Sequence, residues 1–516
     1  MGYIFLTLEA LLFLTSAFLI GYAVLAFLGA AYAPLRRFAI SCMLGLGAWS
    51  LMGTFLAALG LFDPNILRGL MVLVFIVSFN TLQTFSLSSF LERARVCMQT
   101  EIPLKALIAA WLLVEFVIVF MPITGEDTFR YHLPIMQDLI VNERLSFSPT
   151  VINYPYLPLA AETLYAIPSS IFGTTQDPYI FQLIQFSAFL LLLLLIFDFV
   201  KTRVRNPFFA PIAVLATLSL MDLQREVFHG GYIDVVAFLF AVGSFLVLLD
   251  HLERKRTLEG PETLISAAFL GIALSMKYHA LIFVGLDGLL LLLGAWYMRR
   301  RLLSAALTVL RYGGIAFFVA GFWYIKNYFL FGNPVYPLFE SEALQKEIGN
   351  VGWWIADRTW LNMLLFPVYR YGRWFYDATE SSSHLVTLGY FFLTYACAAF
   401  FAIRRLRVSL SEVALFGALH IYLWVMFFNS HQNRYLLGGV ILLPILLTLF
   451  SDRFYSHALE GAGERVRRFV RKSAVVLAAV AFLVTFGGFV HYFQYKFWYV
   501  VGRDTKTEYI ENIGGL

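Results

Sequence analysis

Cysteine is nearly absent: Cys42, Cys97 and Cys397 are the whole complement of a 516-residue chain. Isolated thiols at no metal-ligand spacing exclude a disulfide scaffold and a zinc cluster. Charge is also sparse, at 14% of residues against 60% hydrophobic ones, with a mean hydropathy of +0.75. That composition excludes an ordinary soluble domain, and nothing in it calls for nucleic acid as a partner. A Gly-x-x-x-x-Gly-Lys-Ser/Thr loop is missing, and the basic loops are too short for a nucleotide-binding fold, so this chain holds no ATP engine. The apolar run from Ile4 has no basic region before it and exceeds a signal-peptide core, so it reads as a retained first span.

What is present is a succession of apolar runs long enough to cross about 30 Å of hydrocarbon as helices. Backbone groups must be satisfied inside lipid, and the runs are too long and uniform for barrel strands, so the expected fold class is all-α. About fourteen transmembrane helices are expected, near 4–30, 38–62, 67–90, 104–122, 179–200, 207–222, 233–250, 263–277, 280–298, 303–329, 385–403, 409–428, 435–450 and 473–492. Basic clusters such as Arg36-Arg37, Arg254-Lys255-Arg256, Arg299-Arg300-Arg301 and Arg404-Arg405 separate these runs, and such clusters mark the cytoplasmic side. Placing all of them inside puts the N-terminus and the tail 493–516 outside, and the fourth span then runs outward.

Two external segments are too long for turns, 123–178 and 331–384, and long loops in compact architectures usually serve function. The first holds an amphipathic stretch, Tyr131 to Leu145, with Leu133, Met136, Leu139 and Ile140 on one stripe; such a helix would lie in the membrane interface. The second carries Trp353, Trp354, Trp360 and Trp374, aromatics that favour the headgroup level and would rim a site.

The chemistry concentrates where the fourth span ends, in Gly125-Glu126-Asp127-Thr128-Phe129-Arg130-Tyr131-His132. An ionisable group beside a membrane span is costly and is therefore a functional candidate. Two readings are open: the carboxylates cap the helix that follows, or they act as a general base or metal ligand. On the same expected side stand Glu226, His229 and Asp234, then Lys277-Tyr278-His279, Lys326-Asn327, and His431-Gln432-Asn433-Arg434-Tyr435. Several cations around one acidic pair suit a phosphate leaving group met by Lys or Arg while a carboxylate handles a proton.

These residues resemble the landmarks of the polytopic GT-C glycosyltransferases, which use polyprenyl-phosphate sugars at the non-cytoplasmic face, in particular the branch of protein O-mannosyltransferases and the lipid A aminoarabinose transferase. The likeness rests on Gly125 through Pro134, Asn153-Tyr154-Pro155 with Glu162, Gly231-Tyr232-Ile233-Asp234, Gly271 through Tyr278, Trp323 through Asn327 with Gly332-Asn333-Pro334, and Arg434-Tyr435 with Pro444. The resemblance implies a GT-C-like core over 104–492, preceded by three additional helices in 1–103. It implies Asp127 as the acceptor-activating residue with Glu126 in support, and Lys277 and Arg434 as donor-phosphate ligands. Arg130, His132, Asp234, His279, Lys326 and Tyr435 complete the expected substrate-binding set. No cofactor is assigned, and a divalent metal is an open alternative for which Glu126, Asp127 and His132 are the candidate ligands.

The implied reaction is an inverting transfer of a sugar from a polyprenyl-phosphate donor to a lipid, glycan or protein acceptor of the cell envelope, at the periplasmic face of a bacterial inner membrane. Two rivals predict different features. An O-antigen ligase or polymerase would use a polyprenyl-diphosphate glycan and rely mainly on loop arginines; a flippase or secondary transporter would show paired broken helices in related halves.

Overall fold

A computed structural model of the chain describes residues 2–82, 102–123, 125–146, 156–174, 179–255, 257–339, 360–366, 383–429, 433–459 and 463–500, with 505 and 508. Every regular element among them is a helix. The expected features at Asn153-Tyr154-Pro155, Trp353, Trp354, Trp374 and His431-Gln432 lie outside the described residues.

Ten helices among the described residues are long and apolar enough to cross a membrane, each falling on an expected span. Two of the other four expected spans are interrupted by polar residues. The run at 207–222 forms Phe209–Leu218 and then a separate helix, Met221–His229, that carries Asp222, Gln224 and Glu226. Pro261–Leu274 stops at Ser275, ahead of Lys277. At about 1.5 Å of rise per residue, helices of that length fall short of the hydrocarbon thickness unless the segments that follow them complete the crossing. The expected third and fourth spans carry the helices Pro64–Leu82 and Ile102–Ile118, which border residues outside the description.

The chain clusters into two compact units. The first combines Met1–Phe90, Pro122–Leu192 and His229–Trp353. Within it Gly2–Phe27 and Pro34–Ala58 cross almost backbone to backbone: a Cβ at Gly45 would stand 1.6 Å from the Ala17 carbonyl oxygen, and one at Gly21 1.8 Å from that of Ser41. In lipid, where helix association depends on close packing, small residues permit such an approach. Gly45→Ala is therefore expected to force the pair apart and cost about 1–3 kcal/mol; an unchanged thermal midpoint would contradict this crossing.

Four further helices of this unit are pinned by a buried polar cluster. Asp287, on Leu281–Tyr297, accepts hydrogen bonds from Tyr312 Oη at 2.6 Å and from Ser244 Oγ, while Ser266 Oγ lies 2.7 Å from Tyr312 Oη. These groups come from Asp234–Lys255, Pro261–Leu274, Leu281–Tyr297 and Leu302–Phe331. The Asp234–Lys255 helix is buried along almost its whole length, whereas Leu302–Phe331 turns Phe318 outward at 89% exposure. A membrane protein can satisfy such a face with lipid, so the exposed Phe and Leu residues read as its solvent-side equivalent.

The second unit combines Leu91–Met121, Leu193–Phe228 and Trp354–Leu516. In it Leu442–Ala458 packs against Ser383–Ile403, Leu410–Asn429 and Phe209–Leu218. The Asp452 carboxylate accepts the backbone N–H groups of Arg205 and Asn206 at 2.8 and 3.0 Å, which fixes the turn before Phe209–Leu218.

The amphipathic stretch takes a form different from the expected interfacial helix. Thr128–His132 is a π turn that runs into the α-helix Leu133–Asn142. Met136 and Leu139 are buried and Leu133 and Ile140 half-buried, and this helix packs on Ala160–Phe172, so protein covers part of its apolar stripe.

Candidate functional site

The acidic motif folds as the mouth of that π turn. Asp127 occupies the N-cap position but makes no capping hydrogen bond, so capping does not account for it. Its Oδ2 instead accepts a hydrogen bond from Tyr131 Oη at 3.0 Å. Glu126 points elsewhere: its side chain is 85% exposed and lies 3.9 Å from the exposed Arg130 guanidinium. A pair so open to water contributes little to stability.

Thr128 anchors the turn. Its Oγ1 donates to the Gly230 carbonyl at 2.8 Å, and Gly231, at φ +78°, passes so close that a Cβ there would stand 2.4 Å from Thr128 Cγ2. Both the left-handed backbone and the contact require glycine. The Gly230–Tyr232 strap is held from beneath by Gln185, which accepts the Gly231 N–H at 2.9 Å and donates to the Tyr232 carbonyl at 3.0 Å. Tyr165 Oη donates to the same carbonyl at 3.2 Å. The strap ends at Asp234, the first residue of Asp234–Lys255, and there Lys277 forms an ion pair with the Asp234 carboxylate.

The ring of contacts then closes. The Ser275 carbonyl, two residues before Lys277, accepts the Ala160 N–H at 3.1 Å. Two residues after Ala160, Glu162 Oε1 lies 2.7 Å from His132 Nδ1, back in the π turn. The turn, the Ala160–Phe172 helix, the Ser275–Lys277 segment and the Gly230–Asp234 strap thus form one circuit in a single unit. It gathers Asp127, His132, Asp234 and Lys277, four of the expected site residues.

The others stand as follows. His279 sits in the 3₁₀ turn Tyr278–Ala280 directly after Lys277. Lys326 lies over the Trp323 ring, 5.0 Å from its centroid. Its neighbour Asn327 is buried and donates to the Tyr156 carbonyl at 2.8 Å and to Tyr278 Oη at 2.7 Å, tying Leu302–Phe331 to the Lys277 turn. Arg434 and Tyr435 belong to the second unit, where the guanidinium donates to Tyr435 Oη at 3.0 Å and lies over its ring.

The metal set expected from Glu126, Asp127 and His132 does not assemble. No group of three or more His, Cys, Asp or Glu side chains is placed to hold an ion among the described residues. The reasons are local: Glu126 turns toward Arg130, and Glu162 takes the His132 Nδ1 position.

In the sequence Glu162 stands only as a landmark and Thr128 only as a member of the acidic motif, while Tyr165 and Gln185 carry no motif. Gln182 and Gln185 are a detectable signal, because they are spaced for one face in the first half of the mainly apolar Tyr179–Lys201 helix, and polar groups inside a span carry a purpose by default. Compared with the models of known families, with curated proteins and with solved structures, the chain matches none.

Proposed function

We propose that the chain is an integral-membrane glycosyltransferase that moves a sugar from a polyprenyl-phosphate donor to an acceptor hydroxyl or amine at the periplasmic side of a bacterial inner membrane. The observation that supports it is the closed circuit: a half-buried carboxylate, Asp127, is held in the same framework as a cation, Lys277. An acid–base group and a phosphate-binding group are the two elements a displacement at an anomeric carbon needs. In this reading the basic loops are cytoplasmic, so the π turn faces outward and the count of spans is about fourteen, with short helices included. The GT-C-like order of landmarks supplies the reaction class.

Asp127 takes a proton from the acceptor as it attacks, the bond from the anomeric carbon to the phosphate oxygen breaks, and the electron pair leaves on the phosphate. Lys277 meets that charge as it develops; an ammonium is a point charge that can turn from a neighbouring carboxylate to a phosphate. Glu126, Arg130, His279 and Lys326 contribute to binding in the same unit.

The test is transfer by the purified full-length protein in lipid nanodiscs, given a panel of polyprenyl-phosphate sugars and envelope acceptors. Turnover with a monophosphate donor is expected, and turnover with a diphosphate-linked glycan alone would replace this reading with a ligase. Lys277→Ala is expected to raise the donor KM by about tenfold or more, the scale of one charge-assisted contact. Unchanged donor dependence would remove that residue from the site.

A further inference from the structure

Two buried titratable groups in the circuit have no part in the transfer step above. His132 and Glu162 are each 2% exposed, and Glu162 Oε1 lies 2.7 Å from His132 Nδ1. A carboxylate only accepts, so in a dyad with ionised Glu162 the hydrogen is on Nδ1, and in its neutral form the imidazole offers Nε2 as the proton acceptor. The second oxygen, Glu162 Oε2, is buried without a hydrogen-bond partner among the described residues.

The backbone gives a second, independent indication. The Leu133 N–H bonds to the Thr128 carbonyl, the i to i+5 pattern of a π turn, a rare element that concentrates at functional sites. In an α-helix the side chains of residues 127 and 132 would point about 140° apart around the axis. The wider turn, with about 4.4 residues per revolution, reduces that to about 50°. It therefore brings Asp127 and His132 toward one face, and Tyr131 touches both: its hydroxyl is on Asp127 and its ring is 4.1 Å from the His132 ring, centroid to centroid.

We propose that His132 and Glu162 form a carboxylate–imidazole dyad that receives the acceptor's proton from Asp127. This deepens the transferase reading and rests on it for the identity of the substrates. The acceptor O–H or N–H bond breaks, and its electron pair forms the new bond to the anomeric carbon. The bond from that carbon to phosphate oxygen breaks with its pair going to the phosphate, and the proton passes through Asp127 to His132 Nε2. Glu162 holds the resulting imidazolium until the proton leaves to water. Glu162 is a positioning residue, acting through the imidazole it orients.

The experiment combines a spectroscopic signature with turnover, on the full-length protein in nanodiscs. The chain has nine histidines, so His132 is assigned in ¹⁵N-histidine NMR spectra by its loss in His132→Gln. The wild-type signal is expected to show a protonated Nδ1 and a bare Nε2, and Glu162→Gln is expected to abolish that tautomer preference. An Nε2-protonated His132, or a tautomer indifferent to Glu162→Gln, would overturn the dyad even if no donor were found. Failure of every donor with the wild-type signature intact would instead overturn the transferase reading. Where transfer is measured, His132→Gln is expected to lower kcat by about 10²-fold with the donor KM within twofold, and Glu162→Gln to lower it less. Wild-type kcat in either variant would overturn the relay.

Discussion

Asp127→Asn is expected to lower glycosyl transfer by about 10³-fold, within the range of a lost general base, while the protein keeps its thermal midpoint. The substitution is nearly isosteric. An amide oxygen still accepts the Tyr131 hydroxyl, which in the native protein donates to Asp127 Oδ2 at 3.0 Å. Asp127 makes no capping hydrogen bond to lose, and Thr128, not Asp127, anchors the turn to the Gly230 carbonyl. What disappears is the capacity to take a proton. Single-turnover transfer from a radiolabelled donor measures the loss, and the midpoint in the same preparation separates chemistry from folding. Transfer within tenfold of wild type would remove Asp127 as the base. Glu126→Gln is the built-in contrast: its side chain is exposed and pairs only loosely with Arg130, so it is expected to cost less than about tenfold.

The sequence made the membrane character plain because hydrophobic run length is a local property, and ten of the runs are helices of membrane-crossing length among the described residues. It also singled out Asp127, Asp234 and Lys277, because each interrupts an apolar stretch where charge is costly. The circuit that joins them was not legible. Thr128 meets Gly230 across 102 positions and Lys277 meets Asp234 across 43, and no periodicity encodes such partners. His132 was noted as an imidazole near carboxylates, yet its partner is Glu162 rather than either acid of its own motif. The amphipathic stripe from Leu133 was visible too, but apolar spacing does not say whether lipid or a neighbouring helix will cover it. The π turn escaped because its residues carry no distinctive composition; its wider winding follows from the anchoring of Thr128 on one side and His132 on the other.

Removing the carboxylate of Asp234 is expected to have the largest effect on stability. Its side chain is 2% exposed, and that of its partner Lys277 is 16% exposed. A buried pair of this kind adds little net stability over an apolar replacement, but deleting one partner costs about 3–5 kcal/mol because the other charge keeps its desolvation penalty. Asp234 also begins the helix Asp234–Lys255, where a negative charge interacts favourably with the helix dipole by about 0.3–1 kcal/mol. The two terms act in the same direction, so Asp234→Ala should destabilise more than Lys277→Met. The double variant Asp234→Ala/Lys277→Met should recover part of the loss, a coupling of at least about 1 kcal/mol between contacting residues. Denaturant titration of the four proteins in one detergent measures the cycle. Strict additivity would mean that the pair does not hold the strap against the Lys277 turn. A coupled pair with donor binding lost in Lys277→Met but retained in Asp234→Asn would show that Asp234 holds the lysine in place while the lysine itself meets the phosphate.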